Sequence, residues 1–204
     1  MAPPSQRTLH KAQTHARIVA SAVQLVRRAG LAAASVPQVM GGAGMTVGGF
    51  YAHFRSKQAM DAAVLAQAMR EVREEWLLGL DRTPGLDFLA RAVKRYLSPR
   101  HRDNIETGCV LPSTMSELTR ADRVTRSAMA EGVEEVVRML AEHAPEHENA
   151  TPRERALAAL ALCIGGLTMA RALRGTPLSD ELLKACVKWA LPEPSAQPSR
   201  KSPP

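Results

Sequence analysis

Hydrophobic residues recur every three to four positions along most of the chain, which is the spacing produced by one face of an α-helix. The first such stretch begins at Thr14 and ends at Gly30, a residue type that often terminates helices. A second, shorter helix is predicted from Ser35, because serine favours the N-cap position and Pro37 is tolerated in a first turn. The N-terminal part is therefore predicted to be helical.

The same spacing continues up to residue 191. Thr151, Pro152 and Glu154 form a capping box with proline at the first helical position, which is a specific signal for a helix start. Ser56 and Ser179 are expected to cap two further helices. The segments predicted as helical are 56–78, 84–97, a stretch from about 107, 120–143, 152–173 and 179–191, with a charged connection over 98–106. An aromatic content of 3% disfavours a β-sandwich or barrel, so we predict an all-α fold of about nine helices.

Charge is distributed unevenly over these predicted helices. The first sixty residues contain seven lysines and arginines and no aspartate or glutamate. Basic and acidic residues balance in the remainder, so the formal net charge of +7 lies entirely in the N-terminal part. A segment with charges of one sign is typical of a surface that binds a polyanion. We therefore predict a nucleic-acid-binding part followed by a part with a different task.

Five glycines lie between Gly41 and Gly49, within the basic part. Helix propensity alone predicts a loop there, since each glycine costs a helix roughly 1 kcal/mol relative to alanine. The segment follows two short helices and precedes a long one, however, and this order indicates a helix-turn-helix unit. In this interpretation residues 35–42 form its first helix, Gly44 and Met45 form the turn, and residues 46–54 form the recognition helix.

The side chains of this unit suit contacts with duplex DNA. The predicted DNA-contacting residues are Arg17, Ser35, Thr46, Val47, Gly48, Gly49, Tyr51, His53 and Lys57. Thr46 is expected to cap the recognition helix, and the two glycines to let the backbone approach the DNA closely. Val47 suits a thymine methyl group, whereas the phenol, imidazole and ammonium groups suit phosphate oxygens. Phe50 and Phe54 are predicted to face the core.

Residues 35–65 resemble the DNA-binding signature of the tetracycline-repressor (TetR) family of transcriptional regulators. The matching positions are Ser35-Val36, Ala43-Gly44, Gly48, Phe50-Tyr51, His53-Phe54 and Ser56-Lys57. Gly41, Gly42 and Gln58 depart from the pattern, because the family usually has charged residues there. The glycines are expected to loosen the second helix, and Gln58 removes a charge favourable to the helix dipole.

The resemblance implies a homodimer whose recognition helices enter successive major grooves of a palindromic operator, roughly 34–36 Å apart. It also implies repression that is relieved when a small molecule binds the C-terminal domain. The chain is accordingly divided into a flexible basic arm (1–13), a helix-turn-helix DNA-binding domain (14–56), a ligand-binding and dimerisation domain (57–191) and a disordered tail (192–204).

The C-terminal part offers a candidate dimer interface and a candidate pocket. The helix 152–173 is apolar on nearly all faces, and together with 179–191 it is predicted to form a four-helix interface in the homodimer. Burial within one subunit is the alternative. The candidate ligand-pocket residues are Trp76, Tyr96, Cys109, Met115 and Met129. Their helical spacing also fits an ordinary core.

Cys109 permits two interpretations. It follows a charged loop with His101 and Arg102 and lies near a predicted helix start, a setting that lowers a thiol pKa. One hypothesis is therefore the same fold switched by oxidation or alkylation of Cys109. The other is a small buried hydrophobic residue without reactivity. The three cysteines are widely spaced and predict neither a disulfide framework nor a metal site.

Several other classes of protein are disfavoured by the sequence. No catalytic triad, phosphate-binding loop or metal-binding cluster stands out, so we expect neither an enzyme nor a bound cofactor or metal. No apolar run reaches the length of a membrane span and the N-terminus lacks the apolar region of a signal peptide, so a cytoplasmic protein is expected. Two alternatives stay open: an enzyme or small-molecule carrier that uses an apolar helical cavity, and a general nucleic-acid-coating protein.

Overall fold

The computed structural model describes residues 5–76, 80, 85–144 and 149–191. Within these ranges every regular element is a helix, which confirms the predicted all-α fold. The α-helices are α1 (Gln6–Ala33), α2 (Val36–Gly42), α3 (Lys57–Trp76), α4 (Gly85–Tyr96), α5 (Pro99–Asp103), α6 (Leu111–Leu118), α7 (Arg123–Glu142), α8 (Pro152–Ala172) and α9 (Pro177–Ala190), and a 3₁₀ helix (Val47–Ala52) lies between α2 and α3. The predicted tail, 192–204, lies outside the described residues.

Helix α1 begins at Gln6, so the predicted helix start at Thr14 and the predicted flexibility of residues 6–13 are wrong. Ser5 is the N-cap, and its Oγ accepts a hydrogen bond from the Thr8 amide at 3.2 Å. Side chains 6–13 are exposed, and therefore these roughly two turns leave no apolar periodicity in the sequence. Capping and helix-favouring residues are enough to extend a helix that is already formed.

The end of α1 is a break at Gly30, the position predicted as a stop. Gly30 has a φ of +83°, a conformation that side chains other than glycine rarely adopt, and a single turn follows it. The Glu117 carboxylate on α6 accepts hydrogen bonds from the Leu31 amide at 2.5 Å and the Ala32 amide at 3.2 Å. A distant acidic residue thus satisfies the amides that the break exposes.

We call residues 6–56 the head and residues 57–191 the body. A single hydrophobic core runs through both, from Ile18 and Phe50 in the head to Leu167 and Leu183 in the body. Helix α3 continues from the head and packs mainly against α7, while α8 packs against α9 and α7. Helices α1 and α6 connect the head with the body, and the Ser113 hydroxyl donates to the Val26 carbonyl at 2.9 Å.

Three details of the body differ from the sequence prediction. The charged connection over 98–106 contains α5, and the helix expected from about 107 begins at Leu111. Ser179 does not cap the last helix, because α9 already begins at Pro177. Ser179 is instead buried and donates to the Ala170 carbonyl at 2.7 Å. The capping box at Thr151 and Glu154 is confirmed, with both reciprocal hydrogen bonds present.

Helix α8 is long and apolar enough to cross a membrane by length and composition alone, contrary to the expectation that no segment would be. In the structure it packs between α7 and α9, and 39% of its most apolar 18-residue stretch is buried. The criterion is weak support for a membrane span, because the core helix of a globular protein also meets it.

Candidate DNA-binding surface and interior cavity

Helix α2 and the 3₁₀ helix form the predicted helix-turn-helix. Gly44 turns the chain with a φ of +70°, and the Met45 amide donates to the Met40 carbonyl at 2.9 Å. The recognition segment, expected as a helix over residues 46–54, is a 3₁₀ helix from Val47 to Ala52. Thr46 precedes it but makes no capping hydrogen bond through its hydroxyl, so that predicted cap is absent. The glycines next to Val47 weaken α-helical geometry here.

Buried aromatic rings set the orientation of this segment. Phe50 and Phe54 lie in the core, with ring centroids 5.6 Å apart. Tyr51 packs only the edge of its ring against Phe50 and is 76% exposed, while Val47 is 48% exposed. Thr46 and Gly48 are also exposed, and Gly49 is half-buried. Thr46, Val47, Gly48 and Tyr51 are therefore all accessible from the outside of the recognition segment.

His53 lies at the edge of this surface. Its side chain is half-buried, and its Nδ1 is buried without a hydrogen-bond partner among the described residues. Burial lowers the pKa of His53, and the nearby charges of His15 and Lys11 lower it further. The ring centroids of His15 and His53 are 6.0 Å apart. A neutral imidazole at this place can donate one hydrogen bond without bringing a charge.

Lys57 is less available than the sequence suggests. Its Nζ lies 2.7 Å from Asp61 Oδ1 and 2.8 Å from Oδ2, and it also donates to the Leu31 carbonyl at 3.4 Å. Burial raises the pKa of the Asp61 carboxyl, although the hydrogen bond from Lys57 opposes this. A DNA phosphate would therefore have to compete with Asp61 for the ammonium group.

Two more of the seven basic residues among the first sixty also pair with acids from the body. Arg27 is buried and contacts Glu71 at 2.8 Å, and the exposed Arg28 contacts Glu106 at 2.9 Å. Within the part of the chain that the structure describes, the remaining four are exposed and make no ion pair. These four residues are Arg7, Lys11, Arg17 and Arg55. Ser35 occupies the N-cap position of α2, but its hydroxyl donates to Gln38 Oε1 at 2.7 Å.

Residues 18–64 match the family model described as bacterial regulatory proteins, tetR family. Residues 18–64 therefore form a TetR-family DNA-binding domain. The matched range contains α2, the 3₁₀ helix and most of α1, and therefore the whole helix-turn-helix described above. The resemblance on residues 35–65 is thus confirmed. No curated protein matches the chain.

Solved structures share the fold of this chain over most of its length. E. coli NemR in its reduced form has 22% identity and a TM-score of 0.74, covering 87% of this chain and 95% of NemR. A TetR transcriptional regulator from Chloroflexus aurantiacus J-10-FL has 20% identity and a TM-score of 0.74, with 88% and 95% covered. The regulator FadR from Bacillus subtilis, in complex with stearoyl-CoA, has 14% identity and a TM-score of 0.66, with 86% and 97% covered.

The body contains a cavity of about 40 Å³ between α3, α4, α7 and α8. Its lining residues are Val72, Arg73, Ala92, Val93, Tyr96, Val136, Leu140, Ala159, Leu160 and Cys163. Of the five residues predicted for a ligand pocket, only Tyr96 is among them. Cys109 and Met129 are buried and Met115 is half-buried, all elsewhere, and the side chain of Trp76 lies outside the described residues. Residues from four separate helices line this cavity, so no local motif marks it in the sequence.

Cys109 lies in a buried polar cluster behind the cavity. It is 1% exposed, and burial raises the pKa of its thiol. Its amide donates to His101 Nε2 at 3.0 Å, while His101 Nδ1 lies 2.8 Å from the Tyr96 carbonyl. These partners require the neutral tautomer with the proton on Nδ1, and burial lowers the pKa of His101 to about 4. The arrangement favours the interpretation of Cys109 as an unreactive buried residue.

Helices α8 and α9 expose large apolar side chains on the outside of the body. The exposed fractions are 44% for Leu157, 52% for Met169, 51% for Leu178 and 74% for Trp189. The two adjacent glycines of α8, Gly165 and Gly166, have different surroundings. A Cβ on Gly166 would lie 2.6 Å from Cys186 Sγ of α9, whereas one on Gly165 would meet nothing within 4 Å. Gly166 therefore permits the close packing of α8 against α9, whereas Gly165 leaves open space on the exposed side of α8.

Proposed function

We propose that this chain is a homodimeric transcriptional repressor that binds a palindromic operator and releases it when a small molecule binds in the body. The observation that carries the proposal is the outward position of Val47 and Tyr51 on the recognition segment of a TetR-family domain. Binding to chromosomal DNA also requires a cytoplasmic location, as the sequence led us to expect.

In this proposal Val47, Gly48 and Gly49 approach base edges in the major groove, and Tyr51 and His53 donate to phosphates. The exposed, unpaired arginines and lysine of the head supply the long-range attraction to DNA, because their charges are not neutralised by an acidic partner. Arg17 and Lys11 lie on α1, whose helical extension holds them in a defined position rather than on a mobile arm.

The subunits are proposed to associate through the exposed apolar side chains of α8 and α9, as a four-helix interface. Exposure of Trp189 and Met169 supports this, since large contiguous apolar patches on a protein surface usually mark interaction sites. Trp189 is the residue that we expect to contribute most to the dimer, because tryptophan is enriched among interface hot spots.

The link between ligand and DNA is proposed to be α6. Glu117 and Ser113 on α6 bond to the backbone of α1 on either side of Gly30, so a shift of α6 would change how α1 is held. A ligand alters DNA affinity only if it binds one arrangement better than the other. The stearoyl-CoA complex of B. subtilis FadR, which shares this fold at 14% identity, supports the proposal that a protein of this fold responds to a small molecule.

The test is selection of bound duplexes from a random DNA pool, followed by fluorescence anisotropy with the selected site and a scrambled competitor. We expect a palindromic site bound at least about 1,000-fold more tightly than the competitor, at a stated salt concentration. Equal affinity for both duplexes would contradict the proposal. It would favour the coating protein if salt weakened binding steeply, and the enzyme or carrier if binding were negligible.

The covalent alternative, switching through Cys109, has weaker support because the thiol is buried and its pKa is raised. Treating operator complexes of the Cys109→Ser variant and the wild type with peroxide or a quinone separates the two mechanisms. Loss of the response in the variant would establish the covalent mechanism, while equal release would exclude it.

A further inference from the structure

The chemistry of the cavity lining restricts the class of ligand that the body can hold. Among the described lining residues, all except Arg73 and Tyr96 are aliphatic or carry a thiol. Burial raises the pKa of Cys163 to about 12, so this thiol is neutral. Burial also raises the pKa of Tyr96 well above its usual range, so the phenol is neutral as well. Apart from Arg73, the described lining residues therefore carry no charge.

The charged residue at the rim already has a partner. Arg73 on α3 forms an ion pair with Glu135 on α7, on the side of the cavity that these two helices bound. An anionic ligand that used Arg73 would have to share the guanidinium with Glu135, which already neutralises its charge. A cationic ligand would find no acidic lining residue among those described. Either charge would lose its hydration without compensation, which is unfavourable in an apolar interior.

The polar cluster behind Tyr96 does not change this conclusion. His101 is held as the neutral tautomer between the Tyr96 carbonyl and the Cys109 amide. The Arg171 guanidinium donates to the His101 carbonyl at 3.0 Å and is not among the lining residues. These groups therefore do not provide a charge-binding end to the cavity.

From this geometry we propose that the effector site of the body takes a small, uncharged hydrophobic molecule, inserted between α3, α4, α7 and α8. The inference rests on the proposed function and adds the chemical class of the effector. The cavity, of about 40 Å³, is smaller than the roughly 150 Å³ apolar cavity that holds benzene in an engineered protein. Xenon fits it with little adjustment, whereas a ring-sized molecule has to move lining side chains outward and so presses on helices that contact the rest of the body.

The experiment measures thermal unfolding of the full chain in the presence of benzene, benzoate or benzylammonium, and xenon binding by xenon NMR. We expect benzene to raise the melting temperature by about 5–10 °C at one hundred times its dissociation constant, and the two charged analogues to leave it unchanged. Xenon should show saturable binding. Neither measurement depends on DNA.

Ala159→Val places two methyl groups in the cavity from α8 and should abolish benzene and xenon binding. Ala130→Val on the exposed side of α7 is the matched control and should bind as the wild type does. If Ala159→Val does not fold, Ala92→Val fills the cavity from α4 instead. Benzene binding that survives the filling variant, stabilisation by benzoate, or no binding of either apolar probe would overturn the proposal.

Failure of this inference is separable from failure of the repressor proposal. If the chain recognises a specific operator but the filling variant leaves probe binding intact, only the ligand class is wrong. If the apolar probes bind in the cavity but no specific operator exists, the chemistry of the site stands and the repressor function is wrong. If both hold, benzene should weaken operator binding by the wild type and not by Ala159→Val.

Discussion

The head and the body present opposite kinds of surface. The head buries its phenylalanine rings, Phe50 and Phe54, and exposes Tyr51 and Val47 beside small and polar residues. The body exposes Trp189 and Met169 and holds a neutral imidazole, that of His101, in its interior. A polar exposed surface suits a hydrated, charged partner such as DNA, whereas an apolar one suits a second copy of a protein. The difference shows that two binding tasks are separated along one chain.

The two regions nevertheless meet along α1, and one of the contacts there joins Gly30 and Glu117. The contact requires glycine at position 30, because a Cβ there would lie only 2.7 Å from Glu117 Oε2. The predictions below test whether head and body are as separate as their surfaces indicate.

The largest effect is expected from Gly30→Ala. The change places a side chain at a φ of +83° and displaces the carboxylate that holds the Leu31 and Ala32 amides, so we expect a loss of about 3 kcal/mol in the free energy of unfolding. Urea denaturation measures it. Gly41→Ala is the matched control: a Cβ there meets nothing within 4 Å, and the variant should gain about 0.5–1 kcal/mol. A loss below 0.5 kcal/mol for Gly30→Ala would contradict this account of the junction.

The second prediction concerns the interior of the body. The folded pKa of His101 is about 4, below its usual value of 6.5, so the unfolded chain binds a proton at a higher pH than the folded chain does. Stability is therefore full above pH 6.5 and falls as the pH drops towards 4, by up to about 3 kcal/mol. Protonation of Nε2 would also break its hydrogen bond with the Cys109 amide.

Urea unfolding at a series of pH values between 7 and 4 measures this dependence. A His101→Gln variant should be less stable at pH 7 but lose less stability on acidification, since the titrating group is gone. His10→Gln, at an exposed position of α1, should keep the wild-type dependence. A wild-type slope that persists in His101→Gln would mean that other groups cause it.

The smallest effect is expected in the head, from Tyr51→Phe. Loss of the phenol hydroxyl should weaken operator binding by about fivefold to tenfold without changing the melting temperature, because the side chain is 76% exposed. The chain has two tyrosines, which makes Tyr96→Phe a natural counterpart. That variant should change stability and leave operator affinity unaltered. Anisotropy and thermal unfolding on both variants would show whether the two regions respond independently.

Helical periodicity was sufficient to predict α3 and α7, because each buries one face and the buried positions recur at the helical spacing. The capping box at Thr151 was predicted for an equally local reason. The start of α1 at Gln6 was not predicted, because the side chains of residues 6–13 are exposed and leave no periodic pattern in the sequence. The recognition segment was located correctly, but its 3₁₀ geometry follows from a balance between glycines and the buried Phe50 that a pattern does not weigh.

The sequence was also an incomplete guide to which charges are available for binding. The sequence indicated seven cations in an acid-free segment, yet Arg27, Arg28 and Lys57 pair with Glu71, Glu106 and Asp61. All three acids lie beyond residue 60, so only folding reveals which charges stay available. Of the five residues predicted for a ligand pocket, only Tyr96 lines the interior cavity, because the cavity is assembled from helices far apart in the chain.

The sequence by itself determined the helical fold class, the place of the helix-turn-helix and the confinement of excess positive charge to the head, because these depend on residue types at short spacing. The tertiary structure alone decided which basic residues remain free, that Glu117 completes the break at Gly30, and that four separate helices enclose a neutral apolar cavity. Those features arise from residues far apart in the chain, and their contacts depend on how whole helices pack against one another.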